Sequence, residues 1–539
     1  MITNHIHQLG TLEVAYYVTL AALALKVLPF FWRRFFSSEK KLPPPPLQGP
    51  ASESWLFGLH QYISNSPDVG AMHEQWAEEY GPAFIIPGLF GSKKVMIRDP
   101  KAVAHFYSKE TYGYVQTRLA KVFIETLFGR GLLWAEGDSH KRQRKALSPA
   151  FSNAAIRRLT SVFYDSAYKT KEAWDARLEA ESDTVIDVQA WMNHIALDSI
   201  GIAGFGHDFG SLNGTQSAVS NAFNSLGSED VSYLSNIVVL LSPAFPALLK
   251  LPTSRNEMIR NLKKSLSDIA DELLKRTRQE KGGEVGAETA QEKSIIGMLI
   301  KAENNGVSQE EIVAQMNVLL LAGYETTSIS LTWALIELSR QPEKQERLRN
   351  ELASFRADDP SWDDLMNGLP YLDAVTHEIL RLHPPVGETT RVAAEDDILP
   401  FAKPVTLSSG ETVSSLVIPK GTVVGVPIRA MNRSEAFWGE DAKTFVPERW
   451  LDEDKMGGAK DISGHKHILT FSDGPRICLG RAIALTEFKS VLSVLIRNYR
   501  FELPEGPKTI IERHRSILPR PKVAGQQGAL VPLRIQRVE

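Results

Sequence analysis

Residues 471–480 read Phe-Ser-Asp-Gly-Pro-Arg-Ile-Cys-Leu-Gly and hold the only cysteine in 539 residues. Cys478 therefore has no disulfide partner in its own chain, and a lone thiol in a large protein is often a small core hydrophobe. Its neighbours suggest chemistry instead. Gly474 and Gly480 bracket it, and glycine serves where backbone turns tightly or must approach a ligand. Arg476 sets a permanent cation two residues from the sulfur, which favours a thiolate. After Gly480, the residues Ala482, Leu485, Phe488 and Val491 recur at helical spacing. A thiolate loop opening a helix suits ligation of a metal through one point. Zinc would require about four protein ligands, and no cysteine remains to supply them. Haem iron takes one axial ligand on this side, and a thiolate there favours O–O cleavage.

A second stretch belongs to the longest helical candidate, Ser308 to Arg340. Ser308 and Glu311 form a capping box that fixes its start. Inside lies Ala322-Gly323-Tyr324-Glu325-Thr326-Thr327. A mid-helix glycine costs about 1 kcal/mol relative to alanine, so Gly323 invites a reason. It leaves room for a flat cofactor or a diatomic ligand, or it packs against another helix. Thr326 can bond back to the Ala322 carbonyl, or open that bond and admit water. Glu325 reads either as a proton relay or as a solvated side chain.

Glu378 and Arg381 share a helix face at i and i+3, on a helix that His383-Pro384-Pro385 stops. Their apolar neighbours Ile379, Leu380 and Leu382 favour burial. Arg449, in Pro447-Glu448-Arg449-Trp450, can supply a second cation.

Phe471, Gly474, Arg476, Cys478 and Gly480 together match the cysteine-loop signature Phe-x-x-Gly-x-Arg-x-Cys-x-Gly, and on it the chain resembles the cytochrome P450 family. Ala322 to Thr326 matches that family's oxygen-activating motif. The Glu378-x-x-Arg381 helix and the Pro447–Trp450 turn match its buried support network, with Trp450 in place of the usual phenylalanine. The resemblance covers about Pro43 to the C-terminus. It implies haem b with Cys478 as the axial metal ligand, Thr326 as the donor to dioxygen, and Glu325 as the acid that relays protons. Phe471 and Gly323 would border the cofactor. Arg476, Arg391 and Arg144 resemble the family's propionate contacts, and His140 stands where many relatives have tryptophan. It also implies a monooxygenase that oxidises a lipophilic small molecule such as a terpenoid, a steroid or another secondary metabolite. Its electrons would come from an NADPH-dependent cytochrome P450 reductase, with cytochrome b5 as a second donor. The style of the sequence is that of fungal microsomal members. A haem-thiolate isomerase, dehydratase or peroxygenase is the rival within enzymes, and a membrane-tethered binding protein is the rival outside them.

The elements that must position these residues follow the order of that fold. It is mainly α, a large helix-rich domain with small β-sheets. Helices are expected at 67–80, 156–180, 185–203 and 255–280, with a hairpin at 83–99, a polar loop at 282–292, and strands at 391–427 and 499–538. Leu12 to Trp32 is long and apolar enough to span a bilayer. Arg33, Arg34, Lys40 and Lys41 follow it, which places the C-terminal side in the cytosol. Residues 1–36 thus read as a single-pass anchor in the endoplasmic reticulum, 37–50 as a proline-rich hinge, and 51–539 as the catalytic domain. Net charge is −3, so no basic field suggests nucleic acid. The chain lacks both the dinucleotide and the phosphate-loop glycine motifs, so reducing equivalents must come from a partner. Among lesser signals, Glu388 is unexpected beside a substrate-facing stretch, and His465-Lys466-His467 reads as an exposed loop.

Overall fold

The computed structural model describes residues 43–215, 238, 248, 251, 253–281, 295–297, 299 and 307–538, except 53, 67, 182, 183, 356, 357 and 515. The expected anchor and the loop at 282–292 lie outside these residues, as does most of the stretch from 206 to 251 that reads as substrate-facing.

The first helix relevant here, α1 (Val69–Tyr80), starts where the Asp68 carboxylate accepts from Ala71 N at 3.1 Å, a side-chain cap on an otherwise orphaned N–H. Strands β1 (Ala83–Pro87) and β2 (Lys93–Ile97) form the expected hairpin. They are followed by α2 (Pro100–Ser108), β3 (Tyr114–Val115), α3 (Arg118–Leu127), α4 (Gly137–Leu147) and α5 (Asn153–Ala180).

Residues 185–187 depart from expectation. They form strand β4 (Thr184–Asp187), and α6 (Val188–Phe205) begins only after Asp187 caps it. Helical spacing of apolar residues suggested an earlier start, but β4 pairs antiparallel with β12 (Pro532–Arg537) from the far end of the chain. A partner that distant overrides local periodicity.

Helices α7 (Ser254–Lys281), α8 (Gln309–Arg340), α9 (Pro342–Leu352) and α10 (Pro370–Leu382) follow. The capping box of α8 is present. Glu311 N donates to Ser308 Oγ at 3.2 Å, and Ser308 N donates to Glu311 Oε2 at 3.0 Å. This helix is the centre of the molecule. Its first half packs Ile312, Met316, Leu320 and Tyr324 into a cluster with α3, α6 and α7. Its second half packs Ile329, Leu331, Trp333 and Leu335 with α5, α10 and α12 (Arg481–Asn498). Each such buried side chain contributes about 1.5–3 kcal/mol, so both ends of α8 are anchored independently. Among the described residues it is the only helix long and apolar enough to cross a membrane, and it is the buried core helix.

The remaining strands are β5 (Thr389–Ala393), β6 (Asp397–Thr406), β7 (Thr412–Ile418), β8 (Val423–Val426), β9 (Tyr499–Glu502), β10 (Ile511–His514) and β11 (Arg520–Val523). They form a five-stranded sheet β1-β2-β8-β5-β3, a three-stranded sheet β4-β12-β9, and the hairpins β6-β7 and β10-β11. A short helix, α11 (Ile428–Asn432), follows β8.

Candidate functional site

The cysteine loop hands directly into α12. Gly474 sits at φ +63°, and a Cβ there would collide with the Tyr107 carbonyl of α2; only glycine fits. Cys478 N donates to the Phe471 carbonyl at 2.8 Å, and Ile477 N to the Gly474 carbonyl at 3.1 Å. The first closes the loop and the second its inner turn. Protein surrounds the sulfur, yet Cys478 keeps free surface, so it borders an interior space. Burial raises its pKa, against the N–H groups of Gly480 and Arg481 that bond the sulfur and the charges of Arg144 and Arg481. The start of α12 thus offers partners for a thiolate, while burial keeps the proton on the sulfur until a metal displaces it.

Arg476 is tied to neighbouring protein atoms. It donates to the Ala135 carbonyl, and to Glu136 Oε2 at 2.6 Å. The cations that bear most on the sulfur are Arg144 and Arg481. Arg476 nevertheless joins the other expected basic residues. Burial lowers its pKa and the nearby Arg391 lowers it further, against the pull of Glu136. Arg144 is lowered by burial, with the sulfur's charge opposing. His140 is buried rather than exposed. Burial first, and then Arg476 and Arg144, lower it to about 4, so it is a neutral imidazole at pH 7 with one N–H to donate. Arg391 Nε lies 2.9 Å from Glu110 Oε1. Burial pushes Glu110 up to about 7 despite Arg391 and Arg476.

This cluster is incompletely satisfied. Nε of Arg476 and Oε2 of Glu110 are buried without a partner, and Nε of Arg391 has only its ion pair with Glu110. An orphaned buried donor beside a ligating thiol fits a cofactor that carries carboxylates. Sequence reasoning missed Glu110, Glu136 and Arg481. Glu136 is legible in hindsight as the acid that opens the basic helix α4, but Glu110 carries no local signal.

On α8, Ala322 is exposed and Thr326 half-buried in an otherwise buried helix. Thr326 Oγ1 donates to the Ala322 carbonyl at 2.6 Å, the closed form of the two foreseen. At Gly323 a Cβ would meet Ile200 Cγ1 at 2.6 Å and Cδ1 at 2.8 Å. The missing side chain admits α6, so of the two readings of this glycine close helix packing has a direct contact behind it. Glu325 is buried rather than solvated. Ser516 Oγ donates to its Oε1 at 2.8 Å and Arg520 Nε at 3.1 Å. Burial raises its pKa, against the pull of Arg520 and Ser516. Both partners come from the β10–β11 hairpin, within the stretch expected to form strands but given no part in the site.

Phe471 is packed among Leu380, Trp438, Ile468 and Leu485, and its ring meets His465 edge-on at 6.0 Å. His465 is half-buried rather than exposed, and burial, with nearby cations, lowers it to about 3. Glu388 is bonded by Lys94 at 2.8 Å. It is half-buried and ion-paired.

The support network forms as expected and gains a member. Arg381 donates to Glu378 through Nε and a terminal nitrogen, both at 2.8 Å. Arg449 Nε donates at 3.1 Å and Val446 N at 2.9 Å. Trp450 Nε1 donates to Oε2 at 2.9 Å, a bond that phenylalanine cannot make.

Comparison with known proteins agrees with this geometry. The family model described as cytochrome P450 matches residues 47–525. The cytochrome P450 monooxygenase claP of Ampulloclitocybe clavipes is 61% identical over 542 residues, covering 99% of each chain. The monooxygenase claO of the same organism is 64% identical, covering 92% of this chain and 93% of its own. The ganoderic acid synthetase CYP5150L8 of Ganoderma lucidum is 34% identical, covering 88% of this chain and 91% of its own.

Proposed function

The chain belongs to the cytochrome P450 family, and from that premise we propose that it inserts one atom of O2 into a lipophilic small molecule of terpenoid, steroid or other secondary-metabolite type. It is a monooxygenase that uses haem b on a cysteine thiolate. When bound, haem supplies the redox chemistry by which dioxygen is activated.

The protein's own part follows from the site. Cys478 is the ligand, presented by a loop that Gly474 and the Phe471 carbonyl hold in shape. Arg391, Arg476, Arg144 and the neutral His140 would hold the propionates; Arg476 offers a buried donor that the protein itself does not satisfy, and His140 an imidazole N–H. Thr326 holds a hydroxyl at the free surface of α8 and can exchange its bond to Ala322 for one to water or a ligand. Glu325 stores a proton-exchanging group one residue away. Ser516 links it toward the less buried hairpin, so protons enter from the β10–β11 side. Phe471 supports the loop from behind.

Electrons are proposed to come from an NADPH-dependent reductase, with cytochrome b5 as a second donor. Residues 1–36 are proposed to anchor the chain in the endoplasmic reticulum membrane, with the catalytic domain in the cytosol. The single observation that carries the reading is the geometry of the Cys478 loop with its neighbouring cations. The test is incorporation of labelled oxygen from O2 into a bound terpenoid or sterol, in the presence of NADPH and reductase. Label in the product, dependent on both, is expected. Turnover without reductase, or product lacking label, would instead indicate peroxygenase or isomerase chemistry.

A further inference from the structure

The β10–β11 hairpin lies along α8. Arg520 and Ser516 hold Glu325. One register step along from Arg520, the guanidinium carbon of Arg513 sits 5.2 Å from the ring centre of Trp333. Trp333 is itself stacked on His383, with ring centres 3.9 Å apart and planes 5° apart. Thr326 and Trp333 are seven residues apart and so lie on one stripe of α8, separated by about 10 Å of helix rise. His383 leads directly into Pro384, Pro385 and the segment before β5.

Two more arginines converge here. Arg429 of α11 pairs with Asp68, and its Nε is 3.6 Å from Glu74 Oε1. Arg433 Nε is 3.0 Å from the same oxygen. Three guanidiniums thus face two carboxylates, with Glu337, shared by His383 and Arg340, as a third acid acting on Arg433. The first two are committed: Asp68 to Arg429 and the α1 cap, and Glu74 shared between Arg429 and Arg433. His383 cannot add an anion. It is bonded to Glu337 at 3.0 Å, and burial leaves it neutral.

Arg513, half-buried, makes no hydrogen bond to an acceptor among the described residues, whereas Nε of Arg433 and of Arg429 have the shared Glu74 oxygen at 3.0 and 3.6 Å. The Trp333 face attracts the charge of Arg513 but accepts none of its N–H bonds in the guanidinium plane. Burial and the two neighbouring arginines lower its pKa to about 9, with Asp68 and Glu74 opposing. A half-buried planar fork of donors beside two further guanidiniums is complementary to a carboxylate, which takes two parallel N–H bonds.

We propose that Arg513, with Arg429 and Arg433, forms an anion site that holds a carboxylate carried by the lipophilic molecule being oxidised. Docking there would anchor the acid end while the rest of the molecule extends along α8 toward Thr326. The site stands on the side-chain geometry. Its assignment to the substrate rests on the monooxygenase reading.

The test is spectral titration of the holoenzyme at low salt with two probes of equal chain length, dodecanoate and dodecan-1-ol. Dodecanoate should bind at least tenfold more tightly. Arg513→Gln should abolish that preference and leave both the alcohol's affinity and the reduced CO spectrum unchanged. Arg513→Lys keeps the charge without the fork and should leave a reduced preference, and it serves if the glutamine variant fails to take up haem. Equal affinity for the two probes in the unmodified enzyme would overturn the proposal, as would a preference that survives Arg513→Gln. Vesicles of phosphatidylserine and of phosphatidylcholine provide a third arm. If Arg513→Gln weakens binding to the anionic vesicles while dodecanoate binding is unaffected, the ligand is a lipid headgroup and the carboxylate assignment is wrong. An intact thiolate spectrum with no carboxylate preference sinks the anion site alone. A carboxylate preference in an enzyme that never incorporates labelled oxygen sinks the monooxygenase reading alone.

Discussion

Replacing Glu378 by alanine should destroy the haem protein, and the expected size of the effect can be worked from its contacts. The carboxylate is fully buried and accepts from Arg381 twice, from Arg449, from Val446 N and from Trp450. Without it, Arg381 keeps only neutral carbonyl partners, from Asn432, Ala442 and Thr444. Arg449 retains an ion pair with Asp441 at 3.0 Å. Arg381 therefore becomes an uncompensated buried charge, which costs about 3–5 kcal/mol. The orphaned donors of Val446 and Trp450 each add about 1–3 kcal/mol. The sum is comparable with the whole stability of an ordinary domain, about 5–15 kcal/mol. Trp450→Phe removes one bond to a charged group, about 1.5–3 kcal/mol, and should leave a holoprotein with lowered Tm. The assay is haem content per purified chain together with thermal unfolding. The pH dependence has a definite sign. The arginines hold Glu378 below the ordinary carboxylate range although burial opposes them, so its contribution is present above about pH 4.5 and is lost as pH falls through the folded value. Stable, haem-loaded Glu378→Ala would refute this reasoning.

Gly474→Ala combines a left-handed backbone with a collision against the Tyr107 carbonyl. It should lose haem on gel filtration, whereas an alanine at an exposed left-handed glycine such as Gly410, with nothing near its Cβ position, should cost only about 1–2 kcal/mol and keep haem. Thr326→Ala should retain haem but divert electrons, seen as peroxide formed per NADPH consumed; unchanged coupling would remove Thr326 from the proton route. Glu487 is buried against Thr327 and Ser199, and burial pushes it up to about 8 with no charged group opposing. The unfolded chain releases that proton near pH 4.5, so stability should fall as pH rises from there to about 8. Glu487→Gln should flatten that slope in Tm against pH, and an unchanged slope would show that another group causes it.

Much of the site was legible because its residues form short local patterns. The cysteine loop, the Ala322–Thr326 stretch, and the spacing of Glu378 and Arg381 are each contained in ten residues or fewer, and the α8 cap in four. The missed features are contacts between distant parts of the chain. Arg520 reaches Glu325 across 195 positions, and Ile200 packs against Gly323 across 123; neither separation leaves a mark in either stretch. Glu110 looks like any surface acid until folding buries it beside Arg391. The late start of α6 has the same cause, since β4 exists only because β12 pairs with it. Trp450 read as a mild departure from pattern, and its bond to Glu378 shows a specific gain. Arg513 was invisible for a related reason, because its meaning lies in what Arg429, Arg433 and Trp333 do around it.

The central claim is that Cys478 binds haem iron as a thiolate. The most direct test is the reduced CO-difference spectrum of the purified protein, recorded beside that of Cys478→Ser. The unmodified chain should give the red-shifted Soret band of a thiolate-ligated haem, and the serine variant should lack it. Absence of that band from the unmodified, haem-loaded chain, or its survival in Cys478→Ser, would contradict the account.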